Sequence, residues 1–325
     1  MIKDELEALK KRLEKSLPNG EWQKILAVLD IAGIADNRHL QSATGLGRDK
    51  LRRTLEKMTD AKAGLPPLFS ISSEKLLRPG LQGRAPNVYL LGKSGATLRR
   101  HLGHQDARSY AQQSPIAQAH ALALLDIHLA AEEAKLAVKT ERRLYATEKV
   151  YIRPDCLVTL ASGQQAFFEI EQLARPDYLP RMTRSLRQKI EFYTHNEADV
   201  SSDVRVLFNL KPGATYRKTL ERWRGICALL VQEREKPLPF RLLAMPLMDF
   251  LATPDWSEQP DMSCWLDLST KQPASSPSSS KEVGGTARAE TLPASLMQLS
   301  SLQNLLILKA LWQEFREQDV QIKED

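Results

Sequence analysis

Three carboxylates are spaced as a cation site would need them. Pro154-Asp155 opens one strand-like run, and Glu169-Ile170-Glu171 closes the next. Strand alternation puts Glu169 and Glu171 on the same side of their strand. The tight hairpin Ala161-Ser162-Gly163-Gln164 lays that strand beside the one led by Asp155. The three acids then converge at one end of a twisted sheet, where like-charge repulsion raises their free energy unless a cation offsets it. Hard ions such as Mg2+ or Mn2+ take oxygen ligands of this kind, and a Mg2+ held there activates water against a phosphodiester. Glu141 and Glu148, just upstream, are candidates for a fourth acidic ligand or a contact through metal-bound water. The bland alternative is a set of exposed acidic strand ends.

The second constellation is basic. In Gly47-Arg48-Asp49-Lys50-Leu51-Arg52-Arg53-Thr54-Leu55-Glu56-Lys57-Met58, the residues Leu51, Leu55 and Met58 have the spacing of a buried helix face, and Arg48, Lys50, Arg52, Arg53 and Lys57 occupy the rest. Early residues of such a helix reach base edges and later ones sit on phosphates. Arg48 and Arg52 are therefore assigned to bases, where Arg makes bidentate bonds to guanine, and Arg53 and Lys57 to phosphate. Between Glu21 and Arg100 there are 14 Lys and Arg against 7 Asp and Glu, a larger surplus than the +6 of the whole chain, so the remainder is close to neutral. A local surplus of this sign is the footprint of a polyanion-binding module. A winged helix used for protein contacts is the competing reading.

The elements that must position these groups fall into five segments. Residues 1–17 form an amphipathic helix with Ile2, Leu6, Leu9 and Leu13 on one stripe, which either packs on its own domain or dimerises. Residues 18–105 hold three helices in quick succession, Glu21–Ala32, Asn37–Thr44 with Asn37 as cap, and Arg48–Met58. Two strand runs follow, 68–72 and 87–91, with Arg78 and Arg84 on the basic wing between them. Gly92-Lys93-Ser94 after the second strand lacks the spacing of a phosphate loop. Residues 106–262 read as a long helix from Pro115 to about Val138, strands near 143–146, 156–160 and 166–171, a basic helix from Tyr178 to Tyr193, a strand 204–210, a helix 216–232 and a strand 240–244. That order makes a mixed sheet with helices on both faces. Residues 263–293 are Ser/Pro/Gly-rich and read as a disordered linker. Residues 294–325 carry an amphipathic helix whose apolar face docks on its own chain, a partner or a second copy.

Several classes are excluded on the same grounds. No run of 18 apolar residues exists, so no membrane span is expected, and the charged start has no secretory h-region. Cys156, Cys227 and Cys264 are far apart and odd in number, which fits reduced thiols in a cytoplasmic protein. His101 and His104 read as helix-end or surface residues, and His120, His128 and His195 have no partner pattern. No nucleophile elbow or Rossmann glycine pattern occurs.

The α-β-β-β-α-β order, with Pro154-Asp155 and Phe167-Phe168-Glu169-Ile170-Glu171 across a hairpin, resembles the PD-(D/E)XK nuclease fold. With the winged helix in front it is similar to the replication-relaxation family of plasmids and integrated mobile elements, over residues 20–250. The resemblance implies that Asp155 and Glu169 bind metal. The family pattern wants Lys two residues after Glu169, where this chain has Glu171. Lys189 or Arg187, on the following helix with Arg184, then supplies a displaced cation, and Arg184 and Arg187 are candidate DNA contacts. The fold expected is thus α+β/α/β, a winged helix-turn-helix followed by a PD-(D/E)XK-like mixed-sheet domain. The function expected is binding of double-stranded DNA in replication, mobilisation or processing. Two versions stand open: a Mg2+-dependent endonuclease using Asp155, Glu169, Glu171 and Lys189, and a non-catalytic adaptor or regulator recruiting partners.

Overall fold

The computed structural model describes residues 3–60, 65–72, 86–104, 107, 109, 114–140, 144–145, 151–172, 179–195, 200–210, 213–235 and 237–269. Arg78, Arg84, Glu141, Glu148, residues 270–293 of the expected linker and the C-terminal helix pattern lie outside these residues; the start of that linker is instead ordered, with Trp265 and Leu268 buried and Leu266–Asp267 a strand.

The chain opens with α1 (Lys3–Ser16), whose Leu6, Leu9 and Leu13 are buried. They are covered from within the chain: α1 packs against α5 (Lys93–His101), and His101 Nε2 meets Glu7 Oε1 at 2.7 Å. The apolar stripe of this helix is therefore used by its own unit. Next come α2 (Glu21–Ala32), β1 (Ile34–Asp36), α3 (Asn37–Thr44), α4 (Arg48–Met58), β2 (Phe69–Ile71) and β3 (Val88–Leu91). The three strands form one antiparallel sheet in the order β1-β3-β2. The α3–α4 turn is set by Gly45 at φ 70, a left-handed position that glycine fills without strain. The cap of α3 is Asp36 rather than Asn37: its carboxylate accepts the N–H groups of Arg38 and His39. Sequence alone left β1 unseen, because three residues are too few to show a period.

Gly95 answers the Gly-Lys-Ser-Gly motif. A Cβ at this position would lie 2.2 Å from the carbonyl oxygen of Leu68. The glycine lets α5 lie directly on the backbone leading into β2, while Gly92 N–H donates to that same carbonyl. The motif serves packing.

The second unit begins with α6 (Pro115–Glu133), capped by Ser114. The helix stops earlier than its apolar pattern predicts. Lys135 takes φ 59 and the N–H of Leu136 closes back on the carbonyl of Ala131, so Ala137–Thr140 becomes a strand, β4. The expected strand near 143–146 is instead β5 (Leu144–Tyr145), which among the described residues pairs with β6 (Tyr151–Ile152) and not with the large sheet. The large sheet is built from β4, β7 (Cys156–Thr159), β8 (Gln165–Glu171), β9 (Val200–Phe208), β10 (Arg241–Pro246) and β11 (Leu266–Asp267), in the order β11-β10-β9-β8-β7-β4. β4, β7 and β8 run as an antiparallel meander; β8, β9 and β10 are parallel, joined through α7 (Leu179–His195) and α8 (Ala214–Arg234).

Alternation sorts the sheet's side chains cleanly. Phe167, Val204, Val206, Phe208 and Leu242 pack under α7 and α8. Cys156, Val158, Phe168, Ile170, Leu207 and Leu243 face the other way, toward α6 and α9 (Leu247–Ala252). That second core is continuous with the core of the N-terminal unit. One helix makes the connection: α6 rests on β4, β7 and β8, and also on α2, α3 and β1. No helix among the described residues is long and apolar enough to cross a membrane.

β9 also carries two buried charges, Asp203 and Arg205. Arg205 donates to the carbonyls of Asp255 and Ser257 and lies over the rings of Phe168 and Trp265. Asp203 accepts from Nε and Nη2 of Arg241, at 2.6 and 2.9 Å. These charges pin the segment after α9 against the sheet.

Candidate functional site

Asp155 stands one residue before β7, and the β7–β8 register places it opposite Glu169. Its Oδ2 accepts the Ile170 N–H at 2.7 Å. Its Oδ1 lies 3.3 Å from Nε2 of His120, which reaches it from α6. Glu169, its cross-strand neighbour, lies under α7. There the Lys189 ammonium sits 3.0 Å from Glu169 Oε1 and donates to Ser185 Oγ at 2.8 Å, one turn back on its own helix. Lys189 is only 4% exposed. The spacing of α7 explains this: Met182, Leu186, Ile190 and Tyr193 are buried, and Lys189 shares that inward face.

Burial pushes the Glu169 carboxyl up from the usual carboxylate range to about 7, with the Asp155 charge adding to the rise and the Lys189 ammonium and His120 opposing it. The Tyr193 hydroxyl is likewise raised by burial, and by the charges of Asp203 and Glu169. Among the described residues, that buried hydroxyl has no hydrogen-bond partner.

The structure brings Asp155, Glu169 and Lys189 of the expected site residues together. Glu171 is buried, and its Oε1 accepts the N–H of Gln172. Arg187 points outward and meets Glu233 on α8 at 3.0 Å, and Arg184 is exposed. His120 was passed over because its helical neighbours give no signal. Only the fold sets α6 against the start of β7.

A divalent cation would need more than this cluster offers. Among the described residues, no group of three or more His, Cys, Asp or Glu side chains is placed to hold a metal ion. Asp155 has one oxygen bonded to backbone and the other facing His120. Glu169 already faces an ammonium. Both carboxylates are thus engaged within the chain, and the candidate ligands Glu141 and Glu148 lie outside the described residues.

The basic helix is arranged differently. Leu51, Thr54, Leu55 and Met58 are buried, and Arg48, Lys50, Arg52, Arg53 and Lys57 are all exposed. Arg52 meets Glu56 at 2.8 Å along the helix, and Arg53 Nε donates to the carbonyl of Asp49. Lys50 turns toward the start of α2 and meets Glu21 at 3.1 Å. The Lys50 ammonium holds the Glu21 carboxyl below its ordinary value. Behind α4, α3 is tied to α6 by His39. Its Nδ1 accepts the Asp36 N–H at 3.2 Å, so Nε2 carries the proton and donates to Asp126 Oδ1 at 2.8 Å. Nearby, Ser72 donates to Gln118 of α6. One helix thus touches the β2 end, α3 and Asp155.

Comparison with known protein families, characterised proteins and solved structures finds no match for this chain.

Proposed function

We propose that this chain binds double-stranded DNA, with residues 18–105 acting as a winged helix-turn-helix and residues 106–262 as a nuclease-like body that does not hydrolyse DNA. The carrying observation is α4. Its apolar stripe is buried in a helix–strand–helix–helix–strand–strand unit, while its five basic side chains stand in solvent. A helix so mounted suits a major groove, and its charges suit the phosphates beside it. The closed pairing of Glu169 with Lys189 supports the non-hydrolytic part. The resemblance to replication-relaxation proteins gives the reading a setting, the handling of plasmid or mobile-element DNA before replication or transfer.

The test is fluorescence anisotropy with labelled duplex over a salt series, beside incubation of supercoiled and single-stranded DNA with Mg2+ or Mn2+. Salt-dependent binding without strand scission is the expected result. Binding no tighter than millimolar at low salt would remove the DNA reading, since even non-specific binding reaches about 10⁻⁴ to 10⁻⁶ M. Nicking by the wild type and not by Asp155→Ala/Glu169→Ala would turn the cluster into a hydrolytic centre.

A further inference from the structure

The cations of α4 do not share one face. Lys50, Arg53 and Lys57, at i, i+3 and i+7, lie along one edge of the helix. With Thr54 they line a cavity of about 320 Å³ whose other wall is Ser16, Leu17, Pro18, Asn19 and Glu21. Arg48 and Arg52 take no part in that lining. The cavity's charge is unbalanced. Glu21 is the only acid in the wall, it is 8% exposed, and Lys50 and Asn19 both hold it. Among the described residues, Arg53 and Lys57 face no carboxylate. Two cations in a concave site, with a third shared with a buried acid, make a receptor for an anionic group.

We infer that this cleft between the 16–21 turn and α4 seats a backbone phosphate of the bound duplex. The inference rests on the DNA-binding reading and divides α4 by function. The Lys50, Arg53 and Lys57 edge grips phosphate regardless of sequence, and the Arg48 and Arg52 edge reads bases. It also gives Glu21 a role. The carboxylate competes with the incoming phosphate for Lys50, and so limits sequence-independent affinity.

The measurement is the slope of log affinity against log salt for a labelled duplex of random sequence. It compares wild type, Arg53→Gln/Lys57→Gln, Arg48→Gln/Arg52→Gln and Glu21→Gln, each checked for folding by circular dichroism. Each phosphate contact removed lowers the slope by about 0.9. The Arg53/Lys57 pair is expected to lower it by roughly 1.8. Glu21→Gln is expected to tighten binding and steepen the slope by about 0.9 as Lys50 is released. The gain in Glu21→Gln is a readout that a merely structural role would not produce. An unchanged slope in Arg53→Gln/Lys57→Gln, with wild-type binding intact, overturns the cleft and leaves the DNA reading standing. A wild type that shows no salt-dependent duplex binding overturns both. A parallel titration with AMP separates the two sources of phosphate. If Arg53→Gln/Lys57→Gln abolishes AMP binding and spares the duplex slope, the cleft serves a free nucleotide and the assignment to the duplex fails.

Discussion

On α4, Arg48, Arg52, Arg53 and Lys57 stand in water around a buried stripe of Leu51, Thr54, Leu55 and Met58. Where β7 and β8 meet α6 and α7, Asp155, Glu169, Lys189 and His120 are turned inward onto one another. Both regions gather charged side chains, one along a single helix and the other from four elements, and they put them to opposite use. Exposed charges cost the fold little and keep a field that reaches a polyanion before contact. Charges turned inward, as the buried Lys189 and the half-buried Glu169, Asp155 and His120 are, must satisfy each other, because they have lost much of their water. Such a network gives the α/β unit internal order and leaves little for a ligand. The contrast teaches that charge type alone does not mark a binding surface; what decides is whether partners inside the chain have already used the charge.

The comparison is broken most directly at Lys189. Lys189→Met removes the ammonium and leaves Glu169 buried opposite Asp155. Glu169 can then take up a proton, so the cost is that of a buried polar group left unsatisfied, about 1–3 kcal/mol, and urea denaturation should show a loss of that size. Duplex affinity per folded molecule should hold, since α4 is untouched. A loss under about 1 kcal/mol would rank the pair with surface ion pairs and open the cluster to solvent and ligands.

The same cluster gives a pH signature. The fold favours the neutral form of Glu169, whose carboxyl is pushed up to about 7 by burial. A raised carboxyl pKa contributes stability that is full below the unfolded value near 4.5 and is lost as pH rises through 7. Wild-type stability should therefore fall by on the order of 1–3 kcal/mol from this group between pH 4.5 and 8. Glu169→Gln, which cannot ionise, should lack that part of the slope. Equal slopes in the two proteins would show that Glu169 is ionised throughout and held so by Lys189.

Gly95→Ala probes the basic unit in the same way, through packing. The new methyl would meet the Leu68 carbonyl, and overpacking against backbone costs typically about 1–3 kcal/mol. Thermal unfolding should show this as a lower midpoint, with the salt slope of DNA binding retained in the folded fraction. No change in midpoint would mean that α5 shifts freely and does not brace β2.

How far each region could be read in advance follows from the physics of its elements. The spans of α2, α3 and α4 were legible because apolar residues at helical spacing lie between Gly33, Gly45 and Gly47, each of which ends or opens a turn. The alternating faces of β7 and β8 and their hairpin were legible for the same local reason. Helix α6 was read too long, since Leu136 and Val138 continue its apolar pattern and nothing in composition announces the left-handed turn at Lys135. The cluster was half legible. Asp155 and Glu169 are neighbours across a short hairpin, and Lys189 lies on the next helix. His120 comes from 35 positions before Asp155, and no local spacing could pair them. On α4 the phosphate side of Arg53 and Lys57 was legible, but the cleft was hidden, because its far wall is the 16–21 turn with Glu21.

The smallest expected effects set two exposed arginines side by side. Arg52 meets Glu56 one turn along α4, and Arg187 meets Glu233 across α7 and α8. Both pairs are solvent-accessible, so Arg52→Ala and Arg187→Ala should each change stability by no more than about 0.5 kcal/mol. Their effects on DNA should differ. Arg52 lies on the helix assigned to the groove, where a bidentate contact is worth about 1–3 kcal/mol of discrimination between bases. Arg187 belongs to the unit whose charges are internally matched, and its loss should leave duplex affinity within about twofold. Competition binding with a panel of duplexes reads both quantities at once. If Arg187→Ala weakens binding as much as Arg52→Ala, the nucleic-acid surface extends across α7, and the division between an outward-charged reader and an inward-charged body fails.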